Sequence, residues 1–382
     1  MARSDGGEQN KAKPPRTPAS TFNRRTMILG GAAAVGATVV AVRVADSTGS
    51  PDTVPTNKGG LASTLESVSL PTGDFDATNG ISPFTTPTSD HYVIDTAFRK
   101  TEIDSATYTL TIGGPFVDTP LTLTYDDLLA RQQITRSLAL VGVSNPVGGD
   151  LVGNAVWTGV SLTDLLDEAG IDDPTNPERQ IFSTSVDGYT AGFRAPLAYD
   201  GRTALVALAM NGEPLPVMHG FPARMIVNGL YGYTSSTKWL ERIDVNDFAT
   251  NDGFWIPRGW AKEAPVKTQS RIDYPSQGAP LSAGTHTIAG VAWAPSRGIA
   301  KVEVGLTSAE RQEDIEWFEA ELGEVESVDT WVQWRYDWDA PQGDWLLQVR
   351  ATDGDGDAQS EEMVQPAPNG AEGLDMTFIR TT

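Results

Sequence analysis

A chain of 382 residues without one cysteine has to hold its fold by burial and hydrogen bonding alone. The same absence excludes a disulfide framework, a Cys-ligated zinc or iron–sulfur cluster and a thiol nucleophile. An apolar content of 39% is enough to build cores, and the length suits two or three domains. His91, His219 and His286 are far apart in sequence and form no helical His-x-x-x-His pair, so a histidine-rich metal site is not expected.

Charge narrows the partners. Asp and Glu number 50 against 28 Lys and Arg, a net of −22, and such a surface repels phosphate backbones, which excludes nucleic acid as a partner. The balance fits either an acidic secreted protein or one adapted to high salt.

That charge is uneven. Residues 1–25 carry six Lys/Arg and two Asp/Glu, and the uncharged run Met27–Val42 follows. Asn23-Arg24-Arg25-Thr26-Met27-Ile28-Leu29 places an arginine pair just ahead of it, the arrangement of a twin-arginine export signal, and a single N-in membrane anchor is the other reading. Residues 1–45 are therefore read as a signal or anchor that places the rest of the chain outside the cytoplasm. Residues 46–80, rich in Ser, Thr, Gly, Asp and Pro, are read as a flexible linker.

From Tyr92 the pattern becomes that of an α+β domain with many loops, over residues 81–275. Thr107-Tyr-Thr-Leu-Thr-Ile alternates as a strand, and Asp126-Asp-Leu-Leu-Ala and Thr158–Glu168 read as short helices. Ile181–Ser185 and Leu205–Met210 are apolar runs between turns. From 276 to 382 short alternating strands indicate a β-sandwich, with a helix possible only at Arg311–Glu321. Six tryptophans there, Trp293, Trp317, Trp331, Trp334, Trp338 and Trp345, are expected to pack inward or at an interface, and a sugar-stacking surface is the lesser reading.

The stretch richest in chemistry is Asn211-Gly-Glu-Pro-Leu-Pro-Val-Met-His219-Gly-Phe-Pro-Ala-Arg224, followed by Gly229-Leu-Tyr-Gly-Tyr-Thr-Ser-Ser-Thr-Lys238-Trp239. Gly/Pro turns bring a histidine, an arginine, hydroxyls and a lysine onto neighbouring loops, a set that suits a phosphate. Other chemistries fare worse. There is no Gly-x-Ser-x-Gly elbow, Asp126-Asp127 sit at a helix start where capping explains them, and Asp353-Gly-Asp-Gly-Asp lacks the downstream spacing of a calcium loop.

These segments, with Tyr92-Val-Ile-Asp-Thr-Ala, Val143-Ser-Asn-Pro-Val-Gly-Gly, Gly153-Asn-Ala-Val-Trp-Thr-Gly-Val, Ser236-Thr-Lys-Trp and Trp255-Ile-Pro-Arg-Gly-Trp, follow in order over residues 80–275. They resemble the sulfite oxidase-type molybdopterin-dependent oxidoreductases. The part after Pro275, with Gly290-Val-Ala-Trp, Asp329-Thr-Trp and Tyr336-Asp-Trp, resembles that family's immunoglobulin-like dimerisation domain, which implies a homodimer. The resemblance implies a molybdopterin held by loops, with His219 and Arg224 near its phosphate and Ser236 and Lys238 beside pterin and phosphate. Asn145 and Asn154 would lie on loops flanking the metal, Asp95 and Thr96 on the first pocket loop, and Arg258 would receive an oxyanion substrate.

One departure matters. The cysteine that ligates molybdenum in the family falls where this chain reads Leu140-Val141-Gly142-Val143, and no other cysteine replaces it. The expectation is an extracytoplasmic oxidoreductase transferring oxygen on a small oxyanion or oxide, with altered coordination of molybdenum and a separate electron-transfer partner, since no haem signature is present. The alternative is a degenerate relative serving as a cofactor-binding or assembly partner in a membrane complex. An adhesion module is a third reading, resting on the tryptophans alone.

Overall fold

The computed structural model describes residues 41–43, 65, 67–75, 80–96, 102–309 and 314–382. The arginine pair and most of the apolar run lie outside them. Of the expected leader, only Ala41–Arg43 is described, as a strand pairing antiparallel with Val93–Asp95.

Two five-stranded sheets enclose the larger core. In the first, Glu213–Pro214, Ala204–Met210, Val152–Ser161 and Ile134–Val141 lie side by side, and Arg224–Val227 also pairs with Ala204–Met210. In the second the order is Leu121–Thr124, Thr109–Gly113, Leu240–Asp247, Arg179–Ser185, Thr190–Arg194. Thr109–Gly113 and Leu240–Asp247 run parallel there. Every residue of Val152–Ser161 and of Ala204–Met210 is buried, which is why Leu205–Met210 reads as apolar without alternation.

Helices are few and short, so the structure is mostly β where an α+β balance was expected. Tyr125–Ala130 starts from a reciprocal capping box, in which Thr124 Oγ1 accepts from Asp127 N and Asp127 Oδ2 accepts from Thr124 N. That capping accounts for Asp127, the second of the paired carboxylates. Leu162–Glu168 buries Leu162, Leu165 and Leu166, but Thr158–Ser161 before it belongs to a strand.

The remaining strands form a second pair of sheets around a separate core. Gln269–Tyr274, Gly284–Trp293, Val332–Ala340 and Glu321–Leu322 make one. Pro280–Leu281, Asp375–Thr381, Gly343–Asp353, Ile299–Ser308 and Glu316–Glu319 make the other. Ile288, Val304, Trp334, Leu347 and Ile379 meet between them. The stretch expected as a possible helix over Arg311–Glu321 instead contains the strand Glu316–Glu319, because pairing with Ile299–Ser308 outweighs a weak helical period. Trp293, Trp331, Trp334 and Trp338 are buried, whereas Trp317 and Trp345 stay half-buried. Asp353 faces inward and accepts from Arg297 Nε at 2.8 Å, from Thr268 Oγ1 at 2.7 Å and from the amides of Asp355 and Asp357. A turn closed in this way has its leading carboxylate already committed.

The second pair of sheets braces the loop between Ile134–Val141 and Val152–Ser161. Within that loop Gly142 N donates to Leu151 O, Asn145 N to Gly142 O, and Leu151 N to Asn145 Oδ1. Arg271 holds Gly149 O at 2.8 Å, and Asp375 Oδ1 would lie 2.1 Å from a Cβ at Gly148, whose φ is +67°. Only glycine fits there.

Candidate functional site: a buried cationic pocket

The segment Ser82–Thr96, which turns over Thr88–Asp90, straps the first sheet and sets one wall of the site. Asn154 Nδ2 donates to Phe84 O, Thr86 N to Asn154 O, and Asn211 Nδ2 to Thr86 O and Thr88 Oγ1. Asn211 and Gly212, at φ +51° and +79°, form the tight turn joining Ala204–Met210 to Glu213–Pro214. The Asn-Gly-Glu-Pro motif therefore acts by clamping the strap, and the strap in turn presents Thr88 O to His219 Nε2 at 3.1 Å.

Three cationic or potentially cationic side chains meet behind it. Arg224 opens the strand Arg224–Val227, is 7% exposed, donates to His219 O at 3.1 Å and lies 5.0 Å over the Trp157 ring. Its Nε has no hydrogen-bond partner. Lys238 pairs with Asp95 and donates to Met218 O at 3.1 Å. A Cβ on Gly220 (φ +108°) would stand 2.9 Å from Lys238 Cβ, so glycine is what lets the His219 loop approach Lys238. Ser236 Oγ is buried without a partner.

His91 completes the group. Its ring meets His219 edge to face at 5.6 Å, meets Trp157 at 5.8 Å and stacks on Tyr92 at 5.0 Å. It rests on Gly153, where a Cβ would come within 2.7 Å of its Cδ2.

Burial without enough negative charge depresses every base in this pocket. Desolvation, then Arg224, brings His91 down to about 4. Desolvation, then His91 and Arg224, brings His219 down to about 3. Burial pulls Arg224 down to about 10 and also lowers Lys238, which Asp95 holds up in part. Both histidines are neutral at pH 7, while an unfolded chain would protonate them below its ordinary 6.5. The folded state therefore loses stability as pH falls from 6.5 toward 4, by about 1.4 kcal/mol per pH unit for each histidine. Urea midpoints at pH 7, 6 and 5 should show that slope, and His91→Phe should flatten it by about half.

The expected site residues are distributed as follows. Asp95, His219, Arg224 and Lys238 converge, Ser236 lies two residues before Lys238 with its hydroxyl buried and unpaired, and Thr96 follows Asp95 at the end of the strap. Asn145 closes its own loop, and Asn154 fastens the strap while its Oδ1 remains unpaired. Gly142 begins the braced loop, and a Cβ there would lie 3.0 Å from Ile94 Cδ1 and 3.4 Å from Leu151 Cβ. Arg258 is exposed and donates to Phe254 O in its own turn, with its guanidinium 3.6 Å over the Phe254 ring. His91, Tyr92 and Trp157 were not expected. His91 and His219 are 128 positions apart, and only the strap brings them together.

Among the described residues no group of three or more His, Cys, Asp or Glu could hold a metal ion. The unpaired Arg224 Nε, buried with His219 and Lys238, does fit a phosphate-bearing group. The fit thus lies at the anionic end of a cofactor.

Residues 97–255 match the family described as oxidoreductase molybdopterin binding domain. The oxidoreductase YuiH of Bacillus subtilis is 31% identical over 160 residues, covering 41% of this chain and 74% of that protein. The chain belongs to the sulfite oxidase-type molybdopterin-dependent oxidoreductases. Mitochondrial sulfite oxidase of Drosophila melanogaster is 31% identical over 226 residues, 52% of this chain and 38% of that protein. The mouse enzyme is 29% identical over 259 residues, 58% and 46% respectively, so the chain spans less than half of these two relatives. The sulfane dehydrogenase SoxCD of Paracoccus pantotrophus shares the fold, with a TM-score of 0.66 at 22% identity over 82% of this chain and 86% of that one. As in the rest of the family, the cofactor is molybdopterin.

Proposed function

We propose that the protein is an extracytoplasmic molybdopterin-dependent oxidoreductase that moves an oxygen atom to or from a small oxyanion or oxide. The observation that carries this is the cluster of His219, Lys238 and Arg224, in which the buried Arg224 Nε has no hydrogen-bond partner. Arg224 and Lys238 would grip the cofactor phosphate by charge-assisted bonds, His219, whose neutral ring spends its one hydrogen on Thr88 O, would donate to it only when protonated, and Ser236 would add a hydroxyl donor. When bound, the molybdenum pyranopterin supplies two-electron oxygen-atom transfer. Gly142 stands at the ligand position, so the metal receives no protein thiolate, and Ile94 and Leu151 cover the space a cysteine would take.

The rest of the reading follows from sequence and layout. The basic head and apolar run address the chain across a membrane or anchor it there. Residues 81–275 form the cofactor domain, and the two-sheet region that follows is an immunoglobulin-like module through which two copies associate. Electrons pass to a separate partner.

Protein from a cofactor-competent host should contain close to one pterin per chain, with molybdenum, and should exchange electrons with an artificial acceptor when given sulfite or an S- or N-oxide. Folded protein with neither pterin nor molybdenum would overturn the enzyme reading and leave a binding or assembly role.

A further inference from the structure

We infer that His91 belongs to the anion pocket, and that the His91–His219 pair takes up a proton when a doubly charged phosphate or sulfate group enters it. The inference rests on the reading that the pocket holds the cofactor phosphate.

Geometry shows where the proton goes. His91 Nδ1 lies 3.3 Å from Tyr92 O and His219 Nε2 lies 3.1 Å from Thr88 O. A carbonyl only accepts, so each neutral ring places its one hydrogen on that nitrogen and keeps a lone pair on the other. For His91 this is Nε2, buried against the Gly153 backbone, which makes no well-formed hydrogen bond to the neutral ring but favours the protonated one. A buried imidazole with an unused basic nitrogen, wedged between a second imidazole and Trp157, makes no packing use of its polarity that Phe would not match.

Charge shows when it goes. His91 is faced by Arg224 and His219, with Tyr92 on its own segment, and Trp157 and Gly153 on the strand beneath bring no charge. His219 is faced by His91, Arg224 and Lys238. Among the described residues Asp95 is engaged by Lys238, and Asp187 also acts on Lys238. Part of what keeps both rings neutral is thus repulsion from neighbouring cations, and a dianion placed among them reverses that part. Protonation and anion binding then favour one another by the same factor.

Sulfate is the probe, because it carries two charges at every pH used and any proton taken up must come to the protein. With the full chain purified free of cofactor, sulfate affinity should rise as pH falls from 7 to 5, up to tenfold per unit. Calorimetry in two buffers of different ionisation enthalpy should count close to one proton. His91→Gln should bind sulfate with a clearly shallower slope, and the double variant His91→Gln/His219→Gln with none. Arg224→Ala should abolish binding at all pH values.

A pH-independent affinity that still depends on Arg224 would sink the proton coupling and spare the pocket. A full slope in His91→Gln would remove His91, and a full slope in the double variant would place the proton elsewhere. No saturable sulfate binding by the unaltered protein, or binding that survives Arg224→Ala, would overturn the anion-pocket reading itself. The two-buffer proton count needs no variant, so it tests the coupling even if a substitution at His91 fails to fold.

Discussion

Arg224→Ala is expected to empty the protein of pterin while leaving its fold about as stable as before. The guanidinium is 7% exposed, its Nε is unpaired, and no carboxylate among the described residues forms an ion pair with it. Breaking a buried ion pair removes about 3–5 kcal/mol because a charge is stranded. Here the charge is stranded already, so its removal forfeits only the bond to His219 O and the contact with Trp157, and relieves the repulsion felt by His91 and His219. The net change in unfolding free energy should stay within about 1 kcal/mol. Binding is another matter. Two charge-assisted bonds to phosphate, each worth about 1.5–3 kcal/mol, correspond to a loss of a hundredfold or more in affinity. Pterin content after gel filtration, set beside a urea titration of the same sample, checks both halves. A variant that loses several kcal/mol of stability would show Arg224 to be a structural residue.

Gly142→Cys should fold, keep its pterin and change the metal. Gly142 has no positive φ, so its backbone accepts a side chain, and the tightest contact a Cβ would make is with Ile94 Cδ1 at 3.0 Å, the mobile end of its side chain. Overpacking of that kind costs about 1–3 kcal/mol, and adding Ile94→Val should recover most of it. The loop that carries residue 142 is fixed by Asn145, Arg271 and Leu151, so the new thiol arrives in a defined place. X-ray absorption should register one more sulfur on molybdenum, and turnover should change by at least the ~10–100-fold that outer contacts of a metal site commonly contribute. If the metal's sulfur count is unchanged in a folded, pterin-loaded Gly142→Cys, Gly142 does not face the metal and the altered-coordination reading falls.

The strands were legible because burial writes itself into the chain. Ile181, Leu205–Met210 and the alternating stretches after residue 284 all sit in sheets, and the inward-facing tryptophans pack in the cores or between the sheet pairs. The meeting of His219, Arg224 and Lys238 was legible too, since all three lie within twenty residues in a stretch that Gly and Pro fold back on itself. The helical balance was not. Thr158–Ser161 has residues that either element accepts, and pairing with Ile134–Val141 and Ala204–Met210 decided for strand.

What the sequence determined by itself is whatever depends on neighbours in the chain: the capping of Tyr125–Ala130, the Asn211-Gly212 turn and the close spacing of His219, Arg224 and Lys238. What tertiary structure alone decided is which distant groups share a low-dielectric space. His91 reads as an isolated histidine, yet the strap lays it against His219, Trp157 and Gly153, and Asp95 reaches Lys238 across 143 positions. Propensity and capping act over a few residues and leave their mark in sequence, whereas desolvation and Coulomb energy act through space and depend on packing that no short pattern encodes.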